Sequence, residues 1–345
     1  MSGVSTHLAQ LFASRLSMTD SLSHFQVGSE GRVESPLARL ARFLVSPAAL
    51  GLFILKNHAR IVHINTSIDS KAFWRDTVYL AVARLLRRNV VFQVHGGELP
   101  QTFVHGKALQ SWLLRRILSL PDAIVLLGSK ELAAYRQFVP LQRLLIIANA
   151  VAISERTAGI RPMVSNRPLR LAFMGRLVKA KGVYELLTAV TLLRSAGVTV
   201  ELALAGAGPE RILLEDKVRA MNLGDAVSFR GALSGGAKEE LWRWADVYVC
   251  PSYAEGLPYA LLESMAAGLV PVVTPVGAVP DVLTNSVHGL LVPPRDPQAL
   301  AEAIGRLDQD RIALQKMGLA CEQRIREAYS TMRMSNEFHA LYNSL

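Results

Sequence analysis

Two carboxylates, Glu255 and Glu263, stand eight positions apart in AEGLPYALLESMAAG (254–268), a segment otherwise apolar nearly all the way round. A helix that begins near Pro258 and stops at Gly268 surrounds Glu263 with Leu261, Leu262, Met265, Ala266 and Ala267, leaving it little polar face. An ionised carboxylate buried without partners is very costly, so Glu263 requires donors. The hydroxyls of a ligand such as a ribose diol, a bridge to an internal Arg, or plain surface exposure would each satisfy it. Glu255 precedes the helix, in the loop beyond a strand at 246–252, and the backbone of EGLP (255–258) offers N–H groups where a helix N-terminus favours anions.

Arg176 and Lys181 lie five apart in GRLVKAKG (175–182), on a turn between a strand and a helix. A guanidinium fork and an ammonium point charge that converge there suit a diphosphate, although two basic residues near a turn are also commonly just solvated. LAGAGPE (204–210) adds a Gly-rich turn at another strand end; it is not a GxGxxG fingerprint, and an ordinary tight turn explains it equally well. In the first half, FQVHGGE (92–98) places His95 at a strand end before two glycines, where close approach to a ligand needs Gly and a His can bond or move a proton. The bland reading of His95 is structural, and the other seven His residues are taken as ordinary. No G-x-S-x-G, P-loop or HExxH motif is present, which leaves triad hydrolases, nucleotide kinases and zinc proteases without support.

These residues need strand ends to hold them. From residue 169 on, strands at 169–175, 198–206, 227–231, 247–252, 270–275 and 289–293 alternate with helices at 182–197 and 209–224 and others starting at Lys238, Pro258 and Pro297. The first half repeats the rhythm, with strands at 24–28, 59–65, 89–97, 122–128 and 143–149 and helices at 36–55, 71–87, 107–119 and 129–138. Such alternation predicts βαβ units and parallel sheets covered on both faces. The turn-rich stretch 152–168 reads as a linker, so the expected division is an N-terminal domain at 1–151 and a second domain at 169–330. A final helix at 331–345 is expected to pack back towards the first domain.

The chain has 345 residues and a formal net charge of +10. Residues 1–150 carry 17 Lys and Arg against 8 Asp and Glu, so nearly all of that excess sits in the first half. A basic domain favours an anionic partner. Aromatic residues are only 7% and do not interleave with the basic clusters, which ranks a nucleic-acid binder low. Cys250 and Cys321 form no CxxC or Cys/His cluster, so a reducing cytoplasm and no metal site are expected. No apolar run approaches the ~18 residues of a spanning helix.

Taken together, GRLVKAKG, the block ADVYVCPSYAEGLPYALLESMAAGLVPVVTPVGAVPDVL (245–283) and HGLLVPPRDPQALAEAI (288–304) resemble family 4 of the retaining glycosyltransferases. VHGGE (94–98) and Asn149-Ala150-Val151 resemble two further segments of that family, the latter with Ala where Gly is usual. The resemblance implies a GT-B fold, two doubly wound α/β Rossmann-like domains facing across a cleft. It also implies sugar transfer from a nucleotide diphosphate donor with retention. Arg176 and Lys181 would hold the diphosphate without a metal, and Glu263 would take the ribose hydroxyls. Glu255 would contact the donor sugar, with the N–H groups of Gly256 and Leu257 near sugar or phosphate and His95 near the reacting centre. No cofactor besides the nucleotide-sugar substrate is expected.

The family's first domain usually holds the acceptor, and its basic charge here points to an anionic one, such as a lipid-linked glycan for a cell-surface polysaccharide. The helix in 106–120 pairs Leu109, Trp112, Leu113, Ile117 and Leu120 with Arg115 and Arg116. It suits an acidic membrane surface and a core-facing position about equally. A cytoplasmic enzyme, peripheral at the inner face of the plasma membrane, is the resulting expectation. The chain opens on SGVSTHLAQL, which looks like the end of a loop and its helix, so the family's first strand is expected to be missing. An epimerase of the same fold and an inactive truncated member are the alternatives.

Overall fold

A computed structural model describes residues 3–27, 35–69, 72–104, 106–153 and 167–345. The chain forms two compact units, the first from residues 1–149 and 331–345, the second from residues 150–330. Of the linker expected at 152–168, residues 154–166 lie outside the described residues.

The first unit holds four parallel strands, β1 (Ile61–Ile68), β2 (Asn89–Gly97), β3 (Ala123–Leu126) and β4 (Leu144–Ile146), paired in chain order. Helices α1 (Gly3–Ala13), α2 (Leu16–Thr19) and α3 (Pro36–Lys56) precede the sheet, and α4 (Ala72–Leu85), α5 (Pro100–Phe103), α6 (Ala108–Leu118) and α7 (Ser129–Tyr135) fill the crossovers. Because β1 to β4 follow one another in a single direction, right-handed crossovers put α4, α6 and α7 on one face of the sheet. The C-terminal helix, Thr331–Ser344, packs with α1 and α2. No strand forms at the expected 24–28: residues 24–27 carry no strand pairing and Gly28 is outside the described residues. Apolar alternation there serves side-chain packing, not a ladder, since Phe25 and Val27 lie against the core and the Phe25 ring meets Phe53 at 5.3 Å.

The second unit has six parallel strands: β5 (Leu169–Met174), β6 (Val200–Ala205), β7 (Val227–Gly231), β8 (Val247–Cys250), β9 (Val270–Val273) and β10 (Leu290–Leu291). Their order is β10-β9-β8-β5-β6-β7. The connecting helices are α8 (Val183–Ser195), α9 (Arg211–Ala220), α10 (Gly235–Trp244), α11 (Tyr259–Ala266), α12 (Val279–Val282) and α13 (Pro297–Gln309). Strands β8 and β9 are buried at every position, which is why VYVC and VPVV read as unbroken apolar runs. Asp296 caps α13 by accepting from Ala299 N at 2.9 Å. Asp310 does the same for α14 (Arg311–Ala328), a helix absent from the sequence expectations.

The strand order reverses between β5 and β8, so the loops leaving their carboxyl ends diverge to opposite faces and open a crevice where α/β sheets bind ligands. The Gly-rich turn LAGAGPE props one of these loops. Gly206 has φ +148°, and a Cβ there would stand 1.8 Å from Gly175 O. Gly206→Ala therefore costs about 2 kcal/mol or more, read as a lower denaturant midpoint; an unchanged midpoint would show that the loop simply moves aside.

Candidate donor site

The site grows from two loops tied together. Gly182 adopts φ +67°, and a Cβ on it would meet Pro251 O at 2.1 Å, so the loop after β5 lies directly on the loop after β8. Tyr253 N donates to Ala180 O at 2.8 Å and fastens the contact. This apposition brings the Lys181 ammonium onto Glu255 Oε1. The Glu255 side chain is 10% exposed, and the Cys250 thiol also donates to its Oε1 at 3.7 Å. Burial, and then the Glu255 charge, push the Cys250 thiol up, so it stays a protonated donor.

Glu255 and Gly256 are held from behind as well. Ala278 N donates to Gly256 O at 2.8 Å, and Gly277, at φ +58°, leaves no room for a Cβ beside the carbonyls of Glu255 and Gly256. Leu257 is buried and Gly256 half-buried, which anchors the loop ahead of α11. Glu263, on α11, has a side chain 13% exposed and accepts from Lys238 Nζ of α10 at 2.6 Å. Its partner is thus a Lys, where an Arg was the expected bridge. Arg176 stands exposed on the loop after β5, with no ion-pair partner among the described residues.

His95 belongs to the first unit, at the end of β2, where its Nε2 shares a 2.7 Å hydrogen bond with Asn65 Oδ1 of β1. Gly97 owes its place to packing: at φ +103°, a Cβ would stand 2.6 Å from Ile68 O. The expectation that all other His residues are ordinary is corrected here. The His7 ring of α1 lies 4.7 Å from that of His95, and His63 Nδ1 meets Tyr342 Oη at 2.6 Å. Burial, with charge repulsion from His63, holds His7 down to about 3, and burial holds His63 down to about 4. Burial and the two neighbouring imidazoles likewise hold His95 well below its ordinary value.

Residues 163–324 match the family model for glycosyl transferases group 1. Over that stretch the chain resembles the group 1 glycosyltransferases. A glycogen synthase of Mycobacterium tuberculosis is 31% identical to the chain over 220 residues, 63% of this chain and 52% of the relative. An amylovoran biosynthesis glycosyltransferase of Erwinia amylovora is 29% identical over 174 residues, covering 48% of this chain and 42% of that one. The chain thus spans about half or less of the length of these relatives. Among solved structures, a sucrose-phosphate synthase from Thermosynechococcus elongatus aligns over 94% of this chain and 84% of its own, with TM-score 0.75 and 20% identity. An Anabaena protein solved with UDP-glucose aligns over 90% and 84%, with TM-score 0.72 and 15% identity. These likenesses show the fold, two Rossmann-like units of the GT-B kind.

The matched segment contains Arg176, Lys181, Glu255, Gly256 and Leu257 on the loops after β5 and β8, and Glu263 on α11. Lys238 was not foreseen, because a single Lys in the first turns of an amphipathic helix carries no mark of its partner. Asn65 and His63 were legible in principle, since VHIN puts them two apart on one face of a strand. Among the described residues no group of three or more His, Cys, Asp or Glu could hold a metal ion, and no helix is long and apolar enough to cross a membrane.

Proposed function

We propose that the chain is a retaining glycosyltransferase that moves a sugar from a nucleotide diphosphate donor to an anionic, lipid-linked glycan. The observation that carries this reading is the meeting of Lys181 with Glu255 beside Arg176, at the strand-order reversal between β5 and β8. Arg176, with no ion-pair partner among the described residues, and Lys181, already oriented by Glu255, supply positive charge to a leaving diphosphate. Glu263 retains acceptor capacity for a ribose diol, because a carboxylate has about four lone-pair sites and Lys238 occupies Oε1. Glu255 and the N–H groups of Gly256 and Leu257 face the donor sugar. Catalysis then consists of positioning and electrostatic stabilisation, with the acceptor attacking on the leaving-group side.

Calorimetric titration with UDP, GDP and ADP tests the donor pocket. One nucleotide binds, and Glu263→Ala weakens it about 10- to 100-fold by removing charge-assisted hydrogen bonds. Absence of binding by all three, or equal binding by the variant, overturns the assignment. A donor sugar that changes configuration when incubated without acceptor would identify an epimerase instead.

A further inference from the structure

Helices α3 and α4 pack against each other on the first unit, where a Cβ added at Gly51 would meet Val82 and Leu86 at 3.7 and 3.9 Å. Helix α4 packs on β1 and β2, α3 packs on α4 and buries Leu50 and Ile54 in the same core, and each also exposes apolar side chains. On α3, Leu44 (68% exposed), Leu52 (70%) and Leu55 (48%) fall within one narrow sector at ~100° per residue. On α4, Trp74, Val78 and Leu85 (83% exposed) do the same. A stable soluble helix faces water with polar groups, so two adjacent apolar outer faces mark a contact surface.

Its charge identifies the contact. Lys56 and Arg60 are exposed at the carboxyl end of α3, and Arg87 is exposed beyond that of α4. The two helices contain one carboxylate, Asp76, which is buried and paired with Arg75 at 2.7 Å. The face is therefore apolar and bordered by cations at the carboxyl ends of both helices, with one exposed acid, Asp69, at the start of α4. A second copy would set basic borders against one another, whereas an anionic lipid surface complements both features. Helix α6 buries Leu114, Ile117 and Leu118 while exposing Leu109 and Trp112, so it extends the same side of the sheet.

We propose that the outer face of α3 and α4 seats the protein on anionic lipid, with the Leu and Trp side chains at the acyl boundary and Lys56, Arg60 and Arg87 at the phosphates. This deepens the transferase reading, on which it rests for the lipid-linked acceptor; the lipid contact itself is argued from the first unit alone. The full chain is to be sedimented with phosphatidylcholine vesicles, with and without phosphatidylglycerol. Binding is expected with phosphatidylglycerol, and the L52S/L85S pair and the R60S/R87S pair each weaken it about tenfold or more. Trp74 fluorescence should shift to the blue on vesicle addition, measured as the part of the shift lost in W74F. No sedimentation of the native chain, or sedimentation indifferent to L52S/L85S, overturns the proposal. A native dimer that L52S/L85S dissociates also overturns it and gives the face to a second copy. Nucleotide titration of the same variants should be unchanged, which separates failure of the lipid contact from failure of the donor site.

Discussion

Lys181→Ala lowers kcat/KM for the proposed sugar transfer about a hundred- to a thousandfold, the usual cost of losing one charged donor to a developing anion. It also destabilises the second unit, because Glu255, with a side chain only 10% exposed, loses its ammonium partner. Breaking a buried pair from one side costs ~3–5 kcal/mol, and the partial exposure of Lys181 places this case at the low end. The two losses separate in the K181M/E255Q pair, which removes both charges and keeps the shapes. That variant should regain most of the denaturant midpoint and none of the turnover. Recovery of turnover with stability would mean that Lys181 acts only as the counter-ion of Glu255. Arg176→Ala should lose turnover with no change in stability, since the described residues give it no ion-pair partner.

The first unit loses stability steeply as pH falls below about 6.5, the ordinary value of an imidazole. His7 and His63 are neutral in the fold, with values near 3 and 4, while the unfolded chain protonates both from about 6.5 downward. Stability is therefore intact above that value and declines until the folded values are reached, on the order of 2 kcal/mol per imidazole by pH 5. The groups around them are Asn65 of β1, Gln93 and His95 of β2, Asn149 after β4, and Phe338 and Tyr342 of the C-terminal helix. The nearest acid among the contacts is Asp20, which pairs with His339 at 2.8 Å and bears on Tyr342. Urea unfolding from about pH 7.5 to 4.5, read at the first unit, should give a falling midpoint, and His7→Gln should flatten the slope. A midpoint independent of pH would show that water or rearrangement relieves the buried imidazoles.

Periodicity made the two parallel sheets readable, since runs such as VYVC and VPVV fit only strands covered on both faces. It misled at 24–28, where Phe25 and Val27 alternate like a strand but pack as side chains on α3. Both carboxylates of AEGLPYALLESMAAG were conspicuous because each needs a partner. The partners themselves, Lys181 and Lys238, lie 74 and 25 residues away, and only the folded loops determine which cation arrives. The glycines of LAGAGPE are likewise clear as a turn and obscure in purpose, because the Gly175 carbonyl that excludes a Cβ at Gly206 comes from another strand end.

The first unit is written in two pieces, with all of residues 150–330 between them. A ribosome therefore finishes the second unit before it releases the helix that closes the first. Until Thr331–Ser344 emerges, the sheet face of His63 and His95 has His7 of α1 on His95 but lacks Phe338 and Tyr342, and His63 has no phenol to meet. The half made first must accordingly be the half that matures last, and it waits for its lid while exposing apolar and imidazole side chains to chaperones and proteases.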